Sequence, residues 1–472
     1  MIDLVADGMW DISKEFSRFR PRDKRVRARA ETVLGSLAAR PQASFPKAMG
    51  SSGALKGFYR FVNSPGVDHE ALLESHVQMT VERAQAAQDV LAIHDTTKLK
   101  YPNLPSDEVG ELTTGKSGFF AHTTLLVDAN TERCPLGVVA LNTIHRDPNR
   151  QRRGELSGFE CSKLQDKESA RWFHGAQQTE WRLAHRARVI HIMDREGDSY
   201  ELYAKLLEHK YRFVIRGDDR TCLFEGEPTR IKEVLSKQRI VAEREVTLER
   251  RTTQTKAPGS ARAVREARMA RLTVAGCTLT LKRPHFLGAD AAPKQITVNA
   301  VHVFEPDPPE GAEPVEWFLL TTEPIETDEQ LLRVVDMYRH RWVIEEFFKA
   351  LKTGCQYEKR GLESREGLLV VLVLFLPVAC QILWLRGCSR TQPDAPADGL
   401  VNETQEQIIR HFSSRKLPPR PTVRELVWAI AAMGGHLKNN GEPGWQILGY
   451  AWQRILSLEE GWRAAVQSSR KL

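Results

Sequence analysis

The stretch from Leu368 to Leu385 is apolar at every position except Gln381, and no other segment restricts the fold as much. An apolar run of this length must either cross a bilayer or lie in a core large enough to cover all sides of a helix. Pro377 interrupts the run and no second span accompanies it, so the sequence predicts a buried core helix. A core of that size is available, because 472 residues correspond to about three domains. With 41% apolar and 27% charged residues, the chain reads as globular, neither disordered nor fibrous.

The opening MIDLVADGMWDISKEF has no long apolar run, so no secretory signal is expected. The seven cysteines are odd in number and form no C-x-x-C pair. That excludes a disulfide framework or a thiolate zinc site and fits a reducing cytoplasm. Lys and Arg total 68 against 61 Asp and Glu, a net charge of +7. So small a surplus implies a polyanionic partner only where it is clustered.

Residues 1–85 read as helical and basic. Between Lys14 and Arg29 there are eight basic and two acidic residues. Arg22, Arg25 and Arg29, spaced i, i+3 and i+7 after Pro21, are expected on one helical face. That face is either simply solvated or a nucleic-acid backbone contact. Strands begin near residue 89: Val90–Ile93 ending at Asp95, then Phe119–Val127 and Leu136–Ile144. A helix over Glu168–Leu183 precedes a strand Arg188–Met193 ending at Asp194, a helix Glu201–His209 and a strand Arg212–Arg216. The order predicts a mixed α/β sheet.

Residues 217–325 break this rhythm with four strand candidates, Glu243–Leu248, Arg271–Leu281, Ile296–Phe304 and Val315–Thr321. Seven basic residues and one acid lie between Arg250 and Arg271, a basic loop within a β insertion. Helix is expected from Asp328 through Lys352. Ser389–Gly399 reads as a linker, and 403–472 as helical.

Asp95 and Asp194 each follow an apolar strand and precede a polar turn. Either is a functional acid beyond a strand end or the cap of the next turn. On a helix through residue 345, Tyr338, Arg341, Glu345, Lys349 and Lys352 fall within an arc of about 80°, with Ile344, Phe347 and Leu351 opposite. That polar stripe is either a solvated face of Glu–Lys pairs or a carboxylate set among phosphate-binding cations. Three carboxylates can hold two Mg²⁺ or Mn²⁺ ions about 3.5–4 Å apart and clamp a phosphodiester. The scattered Cys and His form no zinc pattern.

At these residues the sequence resembles a known family. Tyr338-Arg-His-Arg-Trp-Val-Ile-Glu-Glu-Phe-Phe-Lys-Ala-Leu-Lys352 is similar to the Y-(2)-R-(3)-E-(6)-K signature of bacterial cut-and-paste DDE transposases, of the insertion-sequence-four family and Tn-five type. Ala-Ile-His-Asp95-Thr-Thr, Met-Asp194-Arg-Glu, Arg-Phe-Val-Ile-Arg216 and Trp317-Phe-Leu-Leu-Thr extend the likeness. Val343 and Phe348 stand where that type has polar residues, and the basic N-terminal segment is arranged differently.

The resemblance implies a ribonuclease-H-like core interrupted by a β insertion at about 217–325. It also implies a helical DNA-end-binding domain at 1–85, a catalytic domain at 86–388 and a helical dimerisation domain at 389–472. Asp95, Asp194 and Glu345 would be the catalytic, metal-binding triad, holding two Mg²⁺ ions that Mn²⁺ can replace. Tyr338, Arg341, Lys349, Lys352 and Arg216 would hold the DNA, and Trp317 would stack on a flipped base. Arg22, Arg25 and Arg29 would lie in the part that reads the transposon end. The implied reaction runs through 3′ nicking, hairpin formation, hairpin opening and strand transfer into target DNA, by a homodimer on paired ends. Trp445 and Trp452, at i and i+7, are candidates for the dimer contact. The alternatives are a catalytically silent DNA-binding regulator of transposition, and a nuclease without strand transfer.

Overall fold

The computed structural model describes residues 12–112, 115–130, 134–148, 169–240, 242–248, 268–288, 290–437 and 442–469. Among the described residues, α1 (Lys24–Ala39), α2 (Phe45–Met49), α3 (Ser52–Val62) and α4 (His69–Gln85) come before the first strand. Then come β1 (Asp89–Lys100), α5 (Ser106–Val109), β2 (Gly118–Asp128), β3 (Pro135–Ile144), α6 (Ala170–Leu183), β4 (Arg188–Met193), α7 (Tyr200–Glu208) and β5 (Arg212–Gly217). Next are β6 (Thr221–Phe224), β7 (Glu227–Arg230), α8 (Ile231–Ser236), β8 (Ala242–Leu248), β9 (Arg268–Lys282) and β10 (Gln295–Phe304). β11 (Glu316–Thr321), α9 (Asp328–Arg339), α10 (Trp342–Lys349), α11 (Arg365–Thr391), α12 (Glu403–Phe412), α13 (Val423–Met433) and α14 (Trp445–Ser469) complete it. Most of the basic loop expected at 250–271 lies outside the described residues.

The contacts divide the chain into two compact units, one of residues 1–150, 177–188 and 342–472, the other of 151–176 and 189–341. In the first, β1 pairs antiparallel with β2, and β2 with β3. α4 presses onto β3, where Gly137 (φ +138°) leaves room for the Thr80 hydroxyl that a Cβ would strike. α11 is the buried helix expected at Leu368–Leu385, with every residue of that stretch buried. Its all-round apolar surface is covered by α1, α3, α4, β3, α10, α13 and α14. α11 also runs on to Thr391, so the linker expected from Ser389 begins later.

A buried polar lock fixes the start of this unit. Glu15 (1% exposed) bonds His76 Nδ1 at 2.7 Å and Arg83 at 2.7 Å, while His76 Nε2 accepts from the Val138 N–H at 3.1 Å. Burial pushes the Glu15 carboxyl up, but Arg83 and His76 outweigh it and hold the pKa below the ordinary value. Arg360, also buried, donates to the carbonyls of Pro41, Ala43 and Cys355.

The second unit is a mixed sheet. β4 and β5 run parallel, joined through α7, and the order continues β5-β11-β10-β9-β6-β7 with β8 on β9. Parallel neighbours need a crossover, which α7 supplies by burying Tyr203 and Leu206. Trp172, Met193, Tyr203, Phe213 and Leu320 belong to one apolar core. The hairpin β6–β7 and the short helix α8 escaped the sequence reading, because elements of four to six residues carry little periodicity. The architecture is the mixed α/β sheet with helical flanks expected of a ribonuclease-H-like transposase core.

Candidate active site

Asp95 does not end a strand. It stands within β1 opposite Thr123, because the ladder to β2 runs from Val90 to Lys100. The Asp-Thr-Thr sequence reads as a turn, yet cross-strand pairing satisfies the backbone whatever the side chains. Asp95 is half-buried, and its Oδ1 accepts from the Thr96 N–H at 2.7 Å. On the opposite face of the pleat, His94 Nδ1 lies 3.0 Å from Thr124 Oγ1 and His122 Nδ1 lies 3.0 Å from Thr96 Oγ1. The two imidazoles stack at 5.9 Å. Only the strand register brings this pair together.

The helix expected from Asp328 through Lys352 is broken after Arg339. His340 Nδ1 lies 2.8 Å from the Asp336 carbonyl, the acceptor that an unbroken helix reserves for the His340 N–H. That N–H turns to Met337 at 3.2 Å, and the Arg341 N–H to Tyr338 at 3.0 Å. The polar stripe is therefore divided: Tyr338 and Arg341 belong to the second unit, Glu345, Lys349 and Lys352 to the first. α10, which packs on β1, carries Glu345 half-buried and ends at the exposed Lys349. Lys352 follows in a π-helical turn, where its Nζ donates to the Lys98 carbonyl at 2.6 Å. Burial lowers the Lys352 pKa against the opposing pull of Glu358. Glu358 in turn accepts from the Lys100 N–H at 2.9 Å, so two residues beyond α10 clasp the end of β1.

In the second unit, Asp194 directly follows β4 and caps a 3₁₀ turn, its Oδ1 accepting from the Glu196 N–H at 2.9 Å. Capping uses one of the several lone pairs of a carboxylate and is compatible with a catalytic duty. Asp198 in the same motif is structural, accepting from the Tyr203 hydroxyl at 2.6 Å and the Asp218 N–H at 2.8 Å. Tyr338 is 3% and Arg341 8% exposed. Burial raises the Tyr338 phenol above its ordinary pKa, with Arg341 and Arg216 opposing and Asp194 adding to the rise. Burial lowers the Arg216 pKa, and its hydrogen bond with Tyr338 opposes that shift. The Arg216 guanidinium also donates to the Glu316 carbonyl at 3.2 Å. Trp317 on β11 is half-buried, its ring 5.6 Å from Tyr338 at 60°.

Arg22, Arg25 and Arg29 are exposed, but Arg22 lies outside α1 because Asp23 caps that helix by accepting from the Arg25 N–H. Only Arg25 and Arg29 share its face. The Arg29 guanidinium rests against Gly57 of α3, where a Cβ would come within 2.9 Å. α3 adds the exposed Lys56 and Arg60, which become part of a basic surface only through this packing. Trp452 is 5% exposed, packed inside its own unit, and so offers no surface for the dimer contact expected of it. The side chain of Trp445 lies outside the described residues.

Among the described residues, no three His, Cys, Asp or Glu side chains gather into a metal-binding group. Asp95 and Glu345 are hard, half-exposed oxygen donors of the kind that suits Mg²⁺ or Mn²⁺. The five described free cysteines are buried or nearly so, and burial raises the thiol pKa of Cys355 to about 12 and of Cys277 to about 11. These are inert packing residues.

Two family models match the chain, a transposase DNA-binding model over residues 10–67 and a transposase DDE domain model over residues 175–376. The first covers Arg22, Arg25 and Arg29; the second covers Asp194, Arg216, Trp317, Tyr338, Arg341, Glu345, Lys349 and Lys352, while Asp95 precedes it. DDE transposase domains use divalent metal ions. The chain thus matches a transposase DNA-binding domain near its start and a transposase DDE domain over its middle.

Proposed function

We propose that the protein is a cut-and-paste transposase of the insertion-sequence-four family, Tn-five type, acting in the cytoplasm as a homodimer on paired transposon ends and target DNA. The observation that carries this reading is the cluster beside Asp194, in which Tyr338 and the Glu316 carbonyl hold the Arg216 guanidinium and the Trp317 ring lies against Tyr338. A simple nuclease has no need of an aromatic side chain beside a fixed guanidinium. A transposase that passes through a hairpin must stabilise a distorted DNA end, and a stacked base recovers part of what unstacking costs.

Asp95, Asp194 and Glu345 are assigned as the metal-binding triad, for two Mg²⁺ ions that Mn²⁺ can replace. When bound, the ions supply Lewis acidity at the scissile phosphate. Arg216 and Arg341 neutralise the phosphates of the cleaved end, Tyr338 orients Arg216, and Lys349 contributes from α10. Lys352 acts on the DNA and on the fold at once, since its ammonium has donors beyond the one given to Lys98. Arg22, Arg25 and Arg29 grip the end sequence from the N-terminal domain. Nicking, hairpin formation, hairpin opening and strand transfer are each an in-line attack on phosphorus, so one set of residues serves all four as water and 3′-hydroxyl alternate as nucleophile.

The test is a plasmid assay with the terminal repeats that flank the gene, in Mg²⁺. The parent releases the element and joins it to target DNA, and Glu345→Ala does neither. Equal cutting by Glu345→Ala overturns the triad. Linear products without joining make the protein a nuclease, and binding without nicking makes it a regulator.

A further inference from the structure

His302 occupies a slot on β10 that the proposed reaction does not use. It is 3% exposed, its ring stacked on Phe304 at 4.6 Å and on Phe318 at 4.8 Å, the latter only 8° from parallel. Its Nε2 lies 3.0 Å from Glu316 Oε1, whereas its Nδ1 takes no hydrogen bond. The proton therefore sits on Nε2, and a neutral imidazole donates to the Glu316 carboxylate. Burial lowers the imidazole pKa, with Glu316 opposing. The Glu316 carboxylate also receives Lys232, whose Nζ lies 2.9 and 3.0 Å from its two oxygens. The main chain of the same residue holds Arg216 through its carbonyl, and the next residue is Trp317.

A phenylalanine would fill the His302 slot without leaving a buried nitrogen unsatisfied, so packing does not explain the imidazole. What it adds is a directed hydrogen bond to the one residue whose backbone leads into Trp317 and anchors Arg216. Val303 pairs with Trp317 across the ladder, so the same two strands carry both groups.

We infer that His302, Glu316 and Lys232 form a positioning network that sets the start of β11, and with it Trp317, for the distorted DNA end, while Arg216 keeps the Glu316 main-chain carbonyl whatever side chain stands there. It governs hairpin formation rather than the first nick. The inference rests on the proposed role of Trp317 in a hairpin-forming transposase.

The experiment uses the full chain and a duplex ending in the flanking terminal repeat, with 2-aminopurine at the end position. Base unstacking is read first without metal, then nick and hairpin yields with Mg²⁺. Glu316→Ala is expected to lose most of the fluorescence rise and about tenfold in hairpin yield, the scale of one stacked base, with the nick rate within about twofold of the parent. Glu316→Gln keeps an acceptor for His302 and restores at least about half of both signals. The double variant His302→Ala, Glu316→Ala is no worse than Glu316→Ala alone, because the first acts through the second. Equal losses of nicking and hairpin formation, or no loss of either, overturn the network. A parent that never nicks overturns the transposase reading instead, and the metal-free fluorescence still decides the network.

Discussion

In the first unit, β1 and α10 leave Asp95 and Glu345 half-exposed, each on a regular element. In the second, Tyr338 and Arg341 are nearly buried, and Arg216 is held by a phenol and a carbonyl. The contrast follows from what each group must do. A carboxylate meant for an incoming hydrated cation gains from access to water, because full burial would favour its neutral form. A guanidinium meant for one phosphate gains from being aimed beforehand, because less order is lost on binding. Lys352 stands between the two cases, partly buried and already spending one donor on Lys98.

Substitutions separate these roles. Asp95→Asn should lower nicking by about 10³-fold or more while end binding in gel shift stays near the parent level. Tyr338→Phe keeps the ring and removes only the hydrogen bond to Arg216, so it should cost about tenfold in the same assay. If Tyr338→Phe is as inactive as Asp95→Asn, the phenol does more than aim Arg216 and the contrast fails.

A smaller effect distinguishes the N-terminal arginines. Arg25→Ala with Arg29→Ala should reduce the slope of log affinity against log salt by about 2, one unit per phosphate contact, without changing the nick rate at saturation. Adding Arg22→Ala tests whether a residue outside α1 counts equally.

The smallest effect concerns stability. The folded Glu15 carboxyl has a pKa below its ordinary 4.5, so its contribution is complete above that value. That contribution is lost as the pH falls through the folded-state pKa, because the unfolded chain takes up the proton first. Thermal unfolding between pH 7 and 3 should therefore fall more steeply for the parent than for Glu15→Gln, where no carboxylate remains to protonate. Parallel curves would mean that the lock to His76 and Arg83 carries no pH dependence.

Much of the architecture was legible in the chain. Arg188–Met193 is a strand with the expected bounds, and the long strands of the insertion and the buried Leu368–Leu385 helix lie where the apolar pattern put them. Strong patterns survive because burial of the same residues enforces them. The expectation failed where local polarity and tertiary pairing disagree. Asp95-Thr-Thr imitates a turn but pairs with β2, and a helical stripe that looks continuous at 100° per residue is interrupted where His340 takes the Asp336 carbonyl.

The carboxylates and the Tyr-Arg-Glu-Lys spacing are properties of the chain itself, because side-chain chemistry and interval are written residue by residue. The partners of those residues are not. Glu15 meets His76 and Arg83, Lys352 meets Lys98, and His302 meets Glu316 across intervals of 14 to more than 250 positions. Such contacts depend on strand register and on which helix covers which face, and no local preference encodes either one.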